Sequence, residues 1–300
     1  MIRASAPGSV MITGEHAVVY GSRAIVAAIE QRLTVTLRPR TDQLVRLSSE
    51  IAETQTVDLD RLQAVGPYKF VLAAIAMHKG AIDVGMDISI SSEIDPTLGL
   101  GSSAAVTIAA MGAVLTATGQ PLNGIHAKAY QIIQDIQGRG SGADLAASLQ
   151  GGMLAYRAPP NPQMVALPQP PAISLRYCGY KTPTSVVLQK VAERMIGREA
   201  EFEELYAVMG GLADHAISAA KDRDWGAFAD ALTSYQTRME DLGVSDETLN
   251  QIITSARQAE GVMAAKISGS GLGDCVLALG APPVGFTPVT LAREGLIIHD

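Results

Sequence analysis

Apolar and polar residues alternate with a period of two through much of the first hundred positions, the pattern of strands with one buried face. Residues 2–12 follow it as far as Ala6-Pro7-Gly8, where the Pro-Gly pair predicts a stop, and resume it at Val10-Met11-Ile12. Residues 24–29, 33–38, 44–48 and 86–91 read as further strands. Between the last two, residues 68–79 change to helical spacing and close at Gly80. The run 106–117 is smoothly apolar, rich in Ala, free of Pro and ends at Thr118-Gly119, which predicts a helix; 124–137 predicts a second.

Residues 153–156 return to strand, and then 158–171 collects six of the fifteen prolines, the best linker in the chain. Beyond it the texture becomes helical. A strand at 173–177 precedes amphipathic helices at 184–196, 199–221, 224–242 and 245–260, the last with a start signal at Ser245. Strands at 263–267 and 276–279 flank a glycine-rich turn, and short strands at 289–291 and 296–298 are expected to close a sheet. This order predicts an α+β chain of two domains, 1–160 and 161–300.

Composition narrows the function classes. Three hundred residues with 47% hydrophobic content supply an ample core. The formal net charge of −7, with no basic run or basic aromatic stripe, argues against a nucleic-acid partner. No uninterrupted apolar run reaches the roughly 18 residues of a membrane span, so no membrane partner is expected. Glu15 and His16 interrupt the first segment, which therefore does not read as a secretory leader. Cys178 and Cys275 lie far apart without metal spacing, which fits a reduced, cytoplasmic chain. The five histidines show no zinc pattern.

The candidate chemistry lies in three glycine-rich turns. Gly99-Leu100-Gly101-Ser102-Ser103-Ala104-Ala105 opens the apolar helix. A turn without Cβ atoms brings backbone N–H groups close to a ligand, and the helix start adds unpaired donors and a positive dipole end. Such a turn suits an anion, best a nucleotide's phosphates, with Ser102 and Ser103 able to cap the helix or ligate Mg²⁺. A tight turn that only packs an Ala-rich helix on a sheet fits the same residues. The second turn, Gly138-Arg139-Gly140-Ser141-Gly142-Ala143-Asp144, puts a carboxylate in a helix's first turn, as dipole partner or as catalytic group. The third, Ser268-Gly269-Ser270-Gly271-Leu272-Gly273-Asp274-Cys275, reads equally as a hairpin. None has dinucleotide-fold, P-loop or protein-kinase spacing.

Taken together, Ala6-Pro7-Gly8 with Gly14-Glu15-His16-Ala17-Val18-Val19-Tyr20-Gly21, then Gly99 to Ala105, then Lys266-Ile267-Ser268-Gly269-Ser270-Gly271 resemble the three ordered motifs of the GHMP kinases. The resemblance implies a ribosomal-protein-S5-like N-terminal domain, a ferredoxin-like C-terminal domain, and ATP-dependent phosphoryl transfer between them. It implies phosphates and cofactor held by Gly99, Leu100, Gly101, Ser102, Ser103 and Ala104, with Ser103 on Mg²⁺ and Asp144 as the catalytic carboxylate. Ser9, Glu15, His16, Arg139, Ser141, Gly142, Gly269, Ser270 and Gly271 would line the acceptor side of a monomer or homodimer.

Within the family the chain is divided. Residues 14–21 look most like mevalonate kinase. Gln137-Gly138-x-Gly140-Ser141-Gly142-x-Asp144, Gly271-x-Gly273-Asp274-Cys275 and Val106-Thr107 look more like bacterial phosphomevalonate kinase, which is the first expectation. Ser9 stands where the family usually has lysine, and Ile133 where mevalonate kinases place a Mg²⁺-binding glutamate. A phosphate acceptor is already mostly ionised at pH 7 but needs cations around it. Lys181, Arg139 and Lys266 are the cations on offer, and Lys181 is expected to replace the missing lysine or grip an acceptor phosphate. Mevalonate kinase, a silent metabolite sensor of the same fold and a decarboxylase relative are the competing readings.

Overall fold

The computed structural model describes residues 1–95 and 98–299; Pro96 and Thr97, at the head of the first glycine-rich turn, lie outside the described residues. In chain order the first part runs β1 (Ile2–Thr13), a 3₁₀ turn (Ala17–Tyr20), β2 (Arg23–Pro39), β3 (Leu44–Ser49), β4 (Ala52–Asp58), α1 (Lys69–Met77), β5 (Met86–Ser92), α2 (Ser102–Ala117), α3 (Ile125–Gln137), α4 (Ala143–Gln150), β6 (Met153–Arg157) and β7 (Gln163–Leu167). The second part runs β8 (Ile173–Tyr177), α5 (Thr184–Met195), α6 (Glu199–Asp222), α7 (Trp225–Leu242), α8 (Glu247–Arg257), β9 (Val262–Ser268), β10 (Cys275–Gly280), β11 (Thr287–Val289) and β12 (Ile297–His299).

The larger sheet has the order β12-β1-β2-β5-β3-β4, with β6 paired to the far end of β2 and β7 to β6. Only the β3–β5 pair is parallel among the described pairings. The smaller sheet, β11-β8-β10-β9, is antiparallel throughout and is covered by α7 and α8. Helix α2 is buried from Ala104 to Leu115 except at Val106. A helix apolar on every side belongs in the middle of a core, and α2 packs against β1, β2, α1, α3 and α4.

Four sequence expectations are corrected here. Strand β1 does not stop at Pro7-Gly8 but crosses it through a register shift opposite Glu30 and Gln31, so β2 is one strand rather than two. Pro7 is tolerated because β12 pairs only with Arg3–Ser5, leaving the missing N–H of Pro7 on an unpaired edge. The proline-rich stretch carries β7, flanked rather than broken by its prolines. The start of α8 is capped by Asp246, whose carboxylate accepts from Leu249 N at 3.0 Å, instead of by Ser245. The closing strands also divide: β11 joins the smaller sheet while β12 returns to the larger one.

Contacts between the two sheets' layers are specific. Arg23 Nε donates to Asp214 Oδ1 at 2.6 Å, Ser268 Oγ donates to Met11 O at 2.8 Å, and Cys275 Sγ donates to Leu98 O at 3.3 Å. The last brings the third glycine-rich turn beside the first, and the Ser268 bond ties it to β1. Among the described residues no helix is long and apolar enough to cross a membrane.

Candidate active site

The floor of the cleft forms where β1, the turn before α2 and the start of α4 meet. Ser9 N donates to Leu100 O at 3.1 Å, tying β1 to the turn. Gly99 and Gly101 are left-handed, with φ of 71° and 68°. A Cβ on Gly101 would collide with Ser9 Oγ, so the backbone can approach β1 this closely only as glycine. Gly101 is the N-cap of α2, and the first turn of that helix holds no acidic residue. Its amides and dipole therefore present a positive end to the turn. Leu100 and Ala104 are buried by their side chains, so their part in the turn is played by backbone.

Asp144 stands in the first turn of α4, which is entered through Gly142 at φ 81°. That turn is held on several sides. A Cβ on Gly142 would meet both Tyr130 and Tyr156 at 2.8 Å. Tyr156 OH donates to Ser141 O at 2.7 Å, Ala143 N donates to Ser141 Oγ at 3.2 Å, and His126 Nε2 lies 3.0 Å from Gly142 O. Ser9 Oγ then donates to Asp144 Oδ1 at 2.7 Å and fixes the carboxylate's orientation. Burial pushes the Asp144 carboxyl above its ordinary pKa, while the Ser9 hydrogen bond and the Lys181 ammonium pull it back. A carboxylate so held is a stronger base than an exposed one.

The opposite wall comes from the loop after β8 and the turn before β10. Asp274 N donates to Tyr180 O at 3.1 Å, and Lys181 Nζ lies 3.7 Å from Asp274 Oδ1. Burial raises the Asp274 pKa, the Lys181 ammonium opposes it, and the negative charge of Asp144 adds to it. One ammonium thus acts on both carboxylates.

The third corner is built from His16, Glu15 and the turn after β9. His16 Nε2 is 2.8 Å from Ser270 O; a carbonyl only accepts, so the proton is on Nε2 and Nδ1 is left as an acceptor. Burial lowers the His16 pKa, so the ring is neutral at pH 7.

Most of the predicted residues converge, and three do not serve as expected. Glu15 was expected beside an acceptor; its carboxylate is buried and takes a 2.6 Å ion pair from Lys266, which is itself fully buried. Arg139 is exposed and donates from Nη1 to Ser185 O at 3.4 Å, away from Asp144. Gly271 packs on the backbone of Val244, where a Cβ would collide. Gly269 faces inward, its Cβ position 3.3 Å from Asp274 Oδ2. Asp274 was noticed as part of an Asp-Cys pair and not as a site residue; the signal available was an acidic side chain at the end of a glycine-rich turn.

Comparison with known proteins agrees with this arrangement. The family model for the GHMP kinases N terminal domain matches residues 68–152, and that for the GHMP kinases C terminal domain matches 216–284. A mevalonate kinase of Aeropyrum pernix is 32% identical over 288 residues, covering 92% of this chain and 88% of the relative. A mevalonate kinase of Archaeoglobus fulgidus is 30% identical over 302 residues, covering 99% of both. Two solved structures share the fold at lower identity. The Lin0012 protein of Listeria innocua has a TM-score of 0.87 at 21% identity, with 100% of this chain and 99% of that one covered. Streptococcus pneumoniae phosphomevalonate kinase, in complex with phosphomevalonate and AMPPNP, has 0.77 at 17%, with 93% and 92% covered. Both relatives by sequence carry the name mevalonate kinase, whereas phosphomevalonate kinase, the first expectation, stands here as a likeness of fold. Family models in both halves and relatives of 30% identity or more over nearly the whole chain lead to one conclusion: this chain belongs to the GHMP kinases.

Proposed function

We propose that this chain is an ATP-dependent mevalonate kinase, moving the terminal phosphoryl group of ATP onto the mevalonate hydroxyl and releasing ADP. The observation that carries the reading is the charge balance of the cleft. Of the three cations expected to receive an acceptor phosphate, Arg139 is turned outward and Lys266 is neutralised by Glu15. Lys181 alone remains, acting on both Asp144 and Asp274. A phosphorylated acceptor brings about −1.5 to −2 of charge, which this surround would repel. A hydroxyl brings none. Its difficulty is the proton: an alcohol pKa of roughly 15 corresponds to about 11 kcal/mol at pH 7 if the proton left unaided. Asp144, held by Ser9 and raised above the ordinary carboxylate range by burial, is placed to relieve that cost.

The turn at 99–103 fits a triphosphate because a Cβ at either glycine would fill the space or strike Ser9 and Asp274. Gly99, Leu100, Gly101, Ser102, Ser103 and Ala104 would offer backbone donors to it. Mg²⁺, with Ser103 among its holders, would supply neutralisation of charge on the transferring phosphoryl group. Lys181 enters from the second domain where the family motif's lysine is replaced by Ser9, and supplies the positive charge on that side. The two cysteines are free, which suits a reducing cytoplasm.

An ADP-release assay across mevalonate, phosphomevalonate, homoserine and galactose tests the reading. Mevalonate is expected to give a kcat/KM at least about tenfold above any other acceptor. A preference for phosphomevalonate would return the earlier expectation, and nucleotide binding without turnover on any acceptor would favour the sensor. Lys181→Ala is expected to lower kcat/KM for mevalonate by roughly 10- to 100-fold. An effect within a few-fold would remove Lys181 from the mechanism.

A further inference from the structure

We propose that Asp274 is the protein carboxylate that holds the divalent cation accompanying ATP at the turn 99–103. The inference deepens the reading above and rests on it for the position of the triphosphate, not for the identity of the acceptor.

Asp274 stands between two glycine-rich turns. Its Oδ1 is 2.9 Å from where a Gly99 Cβ would be, and its Oδ2 is 3.3 Å from the corresponding position of Gly269. The residue is 7% exposed. Oδ1 is buried and receives no hydrogen bond; Lys181 Nζ lies 3.7 Å from it, too long for one. A buried carboxylate oxygen left without a donor is costly, and one whose ammonium neighbour stays beyond hydrogen-bond reach leaves room for a closer positive partner.

The surroundings make the cost sharper. The glycine turn and the start of α2 are shaped to draw an anion in. A carboxylate facing the same turn repels that anion by like charge unless a cation lies between them. Magnesium suits this position: it keeps waters and takes one or two carboxylates together with phosphate oxygens. Among the described residues no group of three or more His, Cys, Asp or Glu side chains could hold a metal by itself. A cation here therefore draws on the nucleotide for its other ligands. Ile133 is buried among apolar residues and offers none.

The rival role for Asp274 is to position Lys181, and the two separate experimentally. Mn²⁺ is titrated into the purified protein with ADP and followed by electron paramagnetic resonance, with no acceptor present. Asp274→Asn is expected to weaken Mn²⁺ binding to the protein–ADP complex at least about tenfold. Metal-free ADP, measured in EDTA, should bind as tightly as before or more tightly. Lys181→Met should leave Mn²⁺ binding unchanged or strengthen it. Mn²⁺ affinity within twofold of wild type in Asp274→Asn would overturn the proposal, as would a wild-type protein that takes up no Mn²⁺ with ADP. Should the Asn variant not fold, wild-type crystals grown with Mn²⁺ and ADP decide: the anomalous peak is expected within coordination distance of the Asp274 carboxylate, and a peak elsewhere overturns the assignment. Neither readout involves mevalonate, so a failed acceptor assignment and a failed metal assignment are distinguishable.

Discussion

Asp144→Asn is expected to lower kcat for mevalonate by about 10²- to 10⁴-fold while KM stays within a few-fold. The amide keeps the volume of the carboxylate, and its oxygen can still accept from Ser9 Oγ, which now donates at 2.7 Å. Position is preserved and proton affinity is lost, so the damage belongs to turnover. The pH profile provides an independent check. Burial raises the Asp144 pKa, and the base works only when ionised. Wild-type activity should therefore fall on the acid side through a pKa above the ordinary carboxylate range. Lys181→Ala removes a charge that favours the ionised form, so its acid limb should move to higher pH. Near-normal turnover in Asp144→Asn would leave Asp144 as a dipole partner of α4.

Lys266→Met is expected to destabilise the protein by about 3–5 kcal/mol, the usual cost of leaving one partner of a buried pair charged and alone. Lys266 is fully buried, 2.6 Å from Glu15 Oε1, and also donates to Ile267 O. Burial pulls the Lys266 pKa down and Glu15 holds it up. Tyr235 OH donates to Glu15 O at 2.6 Å, so the pair sits inside a link between β1's following turn and the second sheet layer. The midpoint of thermal unfolding should drop by roughly 10 °C. Adding Glu15→Gln to Lys266→Met should recover much of the loss, because no buried charge is then unpaired. A single variant within 1 kcal/mol of wild type by calorimetry would show that Glu15 finds other solvation.

The parts of the site legible in the sequence are those whose chemistry is local. Gly99, Gly101 and Gly142 announce left-handed backbone, and Asp144 follows its turn directly, so these positions could be named before any fold was known. The fold class was legible for the same reason, since strand and helix periods are short-range. The structure differs where partners are distant in sequence. Lys266 reads as a surface or phosphate-binding cation until it is seen to meet Glu15 across 251 positions. Arg139 sits in the catalytic turn, yet a turn residue's direction depends on the neighbouring helix α5, which takes it. Asp274 acquires meaning only once Gly99 is brought against it. The same distances explain the acceptor. Local runs such as Gly273-Asp274-Cys275 pointed to a phosphate acceptor, whereas the assembled charges favour a hydroxyl.

In the complex with both substrates, Asp144 is expected to face the mevalonate hydroxyl while the triphosphate lies in the turn before Ala104. A crystal structure with mevalonate and a non-hydrolysable ATP analogue tests it most directly. The prediction is a triphosphate over residues 99–103 and the mevalonate hydroxyl within hydrogen-bond distance of the Asp144 carboxylate. A triphosphate lying elsewhere, or a hydroxyl turned away from Asp144, would contradict it.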